Sequence, residues 1–176
     1  MGDLLKAFGI TIAFVVPGMV LLLAFAFIYD DVEAGLMYIA SDALKNVGGI
    51  ILIVVSVAFG LVVHVLAWFA FEIGAMHLYY KLRGTTRPSF DIGKAFDTED
   101  GQKAFDYINE QTFRYHQFFG SLSMVLLIIS FLFAWERALP IPVLFVCLGT
   151  SGLLAIASVK MMISNHNNLK SIFPVS

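Results

Sequence analysis

Charge is scarce in this chain: only 14% of its 176 residues are Asp, Glu, Lys or Arg, while 59% are hydrophobic. Soluble domains carry about 25% charged and roughly 45–50% apolar residues. With a mean hydropathy of +0.85, a water-soluble fold of this size has no interior large enough to hide its apolar surface. Cysteine is scarcer still. Cys147 is alone and stands in an apolar run, which excludes a disulfide framework and a cysteine-based metal site. The formal net charge of −2 comes without the clustered basic face that phosphate backbones demand, so nucleic acid is not an expected partner.

Motifs are missing as well. The chain has no GxxxxGK[ST] phosphate loop, no GxGxxG fingerprint and no G-x-S-x-G turn. Asp97, Glu99 and Asp100 precede Gly101, but their spacing departs from an EF-hand and the distal Glu is lacking. No two of His64, Glu72, His77 and His116 stand at the i, i+4 spacing that pairs histidines on one helical face. Without a nucleophile, a base and an orienting group, no catalytic residue is assigned and an enzyme is not the first reading. No cofactor is expected. Met1-Gly2-Asp3-Leu4-Leu5-Lys6 has no Ser or Thr at its sixth position, so myristoylation is not expected.

What is there in quantity is long apolar runs. A hydrocarbon core about 30 Å thick needs about 20 apolar helical residues, because a helix rises about 1.5 Å per residue. Four segments meet or approach that length: 4–29, 47–71, 118–135 and 141–159. The first is longer than a signal-peptide core and is expected to remain as a span. No alternation of apolar and polar residues runs through them, which favours helices over a barrel.

Lys and Arg set the direction. Of the 11 basic residues, all but Lys45 and Arg137 fall in the loop 81–117 or beside the two ends, whereas Asp30, Asp31, Glu33 and Asp42 crowd the first opposite loop. The positive-inside rule then puts both termini and the loop 81–117 in the cytoplasm. Trp135 and Tyr29 mark the outer interface, and Trp68, Tyr79 and Tyr80 the inner one. The expected fold class is an all-α integral membrane four-helix bundle, N-in/C-in, with a cytoplasmic helical extension between spans two and three, forming one domain.

The connections carry their own signals. Residues 30–46 suit a short helix on the membrane face, with Leu36, Ile39, Ala43 and Leu44 on its apolar side. Gly84 to Ser89 should stop the helix that continues from span two, and Thr98 before Glu99 and Asp100 reads as a helix N-cap. Pro140 and Pro142 make a tight turn between spans three and four. Phe105, Ile108, Thr112, Tyr115, Phe119 and Leu122 recur at steps of three and four, the stripe of a helix running into span three. That stripe offers a docking surface for a partner or a second copy; the plainer alternative is packing on the cytoplasmic extension of span two.

Within the spans, Pro17-Gly18 predicts a kink. Gly9, Ala13 and Pro17, Ser56 with Gly60, and Ser151 with Ala155 place small residues four apart, where helices can approach closely. His64 is the most informative residue, since an ionisable group inside a span is costly and marks a functional site by default. It lies roughly 10 Å inside the boundary drawn at Phe71. Glu72, Arg114 and His116 come to a similar level, making a candidate polar cluster of His64, Glu72, Arg114 and His116 for proton relay, conduction or pH sensing. In the plainer alternative His64 bonds to one neighbouring helix and Glu72 pairs with Arg114.

Arg114-Tyr115-His116-Gln117-Phe118-Phe119-Gly120 is similar to aromatic junctions in small bacterial membrane proteins. The four-span plan also resembles small transporters, claudin-like proteins and phage-exclusion membrane proteins. The missing cysteine pair argues against claudins and disulfide-generating enzymes, and the missing carboxylate in span one against small multidrug exporters. The expected function is a non-enzymatic, homo-oligomeric subunit of the bacterial inner membrane, pore-forming or anchoring a cytoplasmic protein, in a stress or phage-defence setting. The alternatives are a proton-coupled transporter using His64 and Glu72, and an intramembrane enzyme.

Overall fold

The computed structural model describes residues 11–41, 44, 47–87, 89, 91, 93, 96–108, 114–136 and 140–173, with the side chains of Thr11, Ile12 and Arg114 outside that set. Among the described residues every regular element is helical. A π-helical turn at Thr11–Val15 leads into α1, Val16–Ile28. Then come α2, Asp30–Ala40, and α3, Gly48–Ala67, which runs through a π-helical stretch, Trp68–Ala75, into α4, Met76–Leu82. The remaining helices are α5, Glu99–Ile108, α6, Arg114–Trp135, and α7, Ile141–Ile172.

Local chemistry explains most boundaries. Pro17 follows the π-helical turn directly, and its missing N–H removes one helical hydrogen bond where the register changes from π to α. Asp30, Asp31 and Glu33 open α2, where carboxylates meet the positive end of the helix dipole. The helix α4 ends on Gly84 at φ 62, a left-handed position that costs glycine no Cβ clash. The Gly84 and Thr85 amides bond back to the Lys81 and Tyr80 carbonyls, a Schellman closure. At α5 the Thr98 hydroxyl accepts the Gly101 amide at 3.0 Å, the cap read from the sequence.

The core runs along α6. Val125, Ile129 and Phe133 pack with Leu21 and Ala24 of α1 and Val63 of α3. Small residues bring the backbones together: a Cβ on Gly18 would collide with the Ser56 carbonyl, and one on Gly60 with that of Phe14. Ser123 and Ser151 each donate to the other's backbone carbonyl, at 2.9 and 2.8 Å, locking α6 to α7. Nearer the loop, Met76 and Tyr80 pack on Met162, and Ile108 on Leu169 and Phe173.

The outside is apolar. Phe27, Phe131, Phe145, Leu153 and Ile156 are each between 66% and 70% exposed, and each forgoes about 1.5–3 kcal/mol of burial in water. Three helices are long and apolar enough to cross a membrane: Gly48–Leu82, Tyr115–Trp135 and Ile141–Ile172. The first apolar helix, Ala13–Ile28, is shorter within the described residues.

One limit needs adjusting. The second apolar helix continues to Leu82 and stops at the Gly84 turn, as expected, while the fourth runs on to Ile172, beyond the limit drawn at 159. At 35 residues the former reaches about 52 Å, more than a bilayer with its headgroups, about 40–45 Å, so it is longer than a single crossing needs. On α5 the stripe meets the end of α7. Ile108 is buried and Phe105 half-buried against the end of α7, because α7 is long enough to offer Leu169 and Phe173. Tyr115 is exposed and Phe119 half-buried. Thr112 and the continuity of the stripe through residues 109–113 lie outside the described residues, as does Ala43. Leu36, Ile39 and Leu44 do share one apolar groove with Met19 and Leu23.

Candidate functional site

His64, Glu72, His116 and His166 of the apolar helices lie toward the end where α3 continues into α4. Its π-helical stretch carries Glu72, and a π turn rotates side chains relative to an α-helix, a distortion frequent at functional sites. The Glu72 carboxylate accepts a hydrogen bond from Arg87 Nη2 at 2.9 Å. Arg87 stands just past the Gly84 turn, which folds the chain back over the helix end. Its Nε also donates to His166 Nε2 at 2.9 Å.

That contact fixes the imidazole's tautomer. Because Arg87 can only donate, His166 Nε2 must be the acceptor, so Nδ1 carries the hydrogen and donates to the Met162 carbonyl at 2.9 Å. A neutral, buried histidine thus sits between a guanidinium and a helix backbone, and the Glu72–Arg87–His166 chain fastens the loop to both α7 and the π stretch.

His116 is held differently. The Ser158 hydroxyl donates to the His116 carbonyl at 3.1 Å, so His116 Nδ1–H donates to the Ser158 oxygen at 2.8 Å. Gly120 gives them room, since a Cβ there would lie 3.1 Å from Ser158 Oγ and 3.4 Å from the Phe71 ring. Among the described residues, His64 makes a long contact to Ser121 Oγ, 3.4 Å, and sets its ring edge-on to Phe14 at 5.2 Å.

His64, Glu72 and His116 line one gap of about 10 Å³ with Trp68, Phe71 and Gly120, the lower limit for a single water. Three members of the polar cluster read from the sequence therefore converge. The fourth, Arg114, has its side chain outside the described residues, and the partner seen on Glu72 is Arg87. Pro17 and Gly18 are buried in the α1–α3 crossing, about one turn from Phe14, whose ring meets His64. No set of three or more His, Cys, Asp or Glu suited to a metal ion occurs among the described residues.

Arg87, His166, Ser121 and Ser158 were not singled out from the sequence. Arg87 read as part of a turn, and His166 lay past the limit drawn for span four. The one available signal was spacing: Ser151, Ser158 and His166 fall at seven and eight residues, which is one helical face. Comparison of the chain with protein families, curated proteins and solved structures finds no match.

Proposed function

We propose that the chain is a non-enzymatic multi-pass membrane subunit that crosses the bilayer four times, with both termini and the loop 81–117 cytoplasmic, and that works as a homo-oligomer. Any conduit then forms between copies, or the assembly anchors a cytoplasmic protein through the α5 side; a bacterial stress or phage-defence setting suits that plan. The supporting observation is closure of the single-chain interior: where the polar groups converge, the gap is about 10 Å³, far below the 300–1,000 Å³ of ordinary small-molecule sites. The outward faces are apolar, and only 11% of the most apolar stretch of α7 is buried, leaving that helix to meet lipid or another copy. Light scattering on the detergent-solubilised protein, paired with liposome flux at graded protein-to-lipid ratios, tests this. Several copies per particle are expected, with any flux rising faster than linearly in protein density. A monomer with flux strictly proportional to protein would overturn it.

A second reading, a proton-coupled carrier, is favoured by the convergence of His64, Glu72 and His116 on one gap. Under it, His64→Ala abolishes proton-driven flux while particle size is unchanged. Flux that survives this substitution removes the carrier reading.

A further inference from the structure

A groove of about 480 Å³ lies against the π-helical stretch, α4 and the turn that follows, where Arg87 folds back onto Glu72. Its wall has two characters. Lys81 and Arg87 bring two fixed positive charges against the one carboxylate of Glu72, with the hydroxyls of Thr85 and Thr86 beside them. Ile73, Met76 and Tyr80 supply an apolar side. A free inorganic anion has no use for the apolar side, and a bare acyl chain none for the cations.

Tyr80 adds an independent observation. It is 9% exposed, and its buried hydroxyl has no hydrogen-bond partner among the described residues. Such a group is unfavourable unless something supplies an acceptor. The depth is also suited. With the hydrocarbon boundary near Phe71, the turn from Glu72 to Met76 passes through the headgroup layer, since each residue advances about 1.5 Å, and Lys81 stands beyond it with a long side chain that can reach back toward the headgroups.

From this combination we infer that the groove binds the headgroup of an anionic phospholipid. The phosphate faces Lys81 and Arg87, whose five N–H donors exceed what Glu72 and His166 use. Thr85, Thr86 and Tyr80 donate to the phosphate and glycerol oxygens, and the upper acyl chain lies along the exposed Ile73. The inference rests on the membrane reading given above.

The test is native mass spectrometry of the full chain in mild detergent, offered equimolar phosphatidylglycerol and phosphatidylcholine, with inorganic phosphate as a separate arm. Each cation near an anionic headgroup contributes about five-fold in affinity. Phosphatidylglycerol should therefore be retained at least five-fold over phosphatidylcholine. Lys81→Gln should cut that preference about five-fold, and Tyr80→Phe, which removes only the unpartnered hydroxyl, should weaken retention as well. Equal retention of the two lipids overturns the inference, as does a preference untouched by Lys81→Gln, or inorganic phosphate binding alone and displacing the lipid. Flotation with phosphatidylcholine vesicles separates the two levels of failure. A chain that does not float contradicts the membrane reading, whereas one that floats without lipid preference contradicts this site alone.

Discussion

Gly18 and Gly60 face each other across the crossing of α1 and α3, so closely that a Cβ on Gly18 would stand 2.7 Å from the Gly60 amide nitrogen. The added atom would also run into the Ser56 carbonyl, which is backbone and has nowhere to rotate. Gly18→Ala or Gly60→Ala must push the helices apart, at a cost of about 1–3 kcal/mol or more. Gly149→Ala and Gly152→Ala meet nothing within 4 Å and should stay within about 1 kcal/mol of the parent. Reversible unfolding in mixed micelles checks the contrast, and equal losses at all four sites would mean the crossing is not tight.

The Ser123–Ser151 pair is reciprocal, each hydroxyl reaching the other's carbonyl. Interhelical hydrogen bonds in membranes average about 0.6 kcal/mol and reach about 1.7. A double-mutant cycle with Ser123→Ala and Ser151→Ala should give a coupling in that range. A coupling of zero would leave the two serines as small packing residues only.

Arg87 holds the loop by donating to both Glu72 and His166. The bond to His166 needs a neutral imidazole, because a protonated Nε2 no longer accepts. This fastening is therefore complete where His166 is neutral and fails as the pH falls far enough to protonate it. Limited proteolysis of the segment after Gly84 should speed up in acid, and Arg87→Gln should raise it several-fold at neutral pH, in line with about 1 kcal/mol for a partly exposed ion pair. In Arg87→Gln the acid effect should largely vanish. If acid acts equally on both proteins, His166 is not the responsive group.

Thr98 caps α5 through its hydroxyl. Thr98→Ala should cost about 1 kcal/mol, confined to α5. Hydrogen exchange is expected to quicken at Gly101 and Gln102 while the α6–α7 pair keeps its protection.

The features legible in the sequence were those set by local chemistry. Hydropathy gave the apolar helices, Gly84 the end of α4, and Thr98 the start of α5, because each depends on a few neighbouring residues. The reach of α7 to Ile172 was missed, since Lys160 and the polar residues after it end the hydropathy signal without ending the helix. Its last turns are held by contacts from far away in sequence, Met162 with Met76 and Leu169 with Ile108. The same distance hid one partner of Glu72, since the Gly84 turn brings Arg87 back over the helix end. His64 and His116 could be placed at one level because both lie on apolar helices of readable rise, and they do line one gap.

The account depends most on the chain crossing a bilayer with the α2 side and the Arg87 side in different compartments. In a Cys147→Ser background, single cysteines at Asp31 and Thr86, both exposed, can be probed with a membrane-impermeant maleimide in sealed vesicles whose outer surface matches that of the cell. Asp31→Cys should label at once and Thr86→Cys only after permeabilisation. Immediate labelling of both, or labelling of Thr86→Cys alone, would contradict the account.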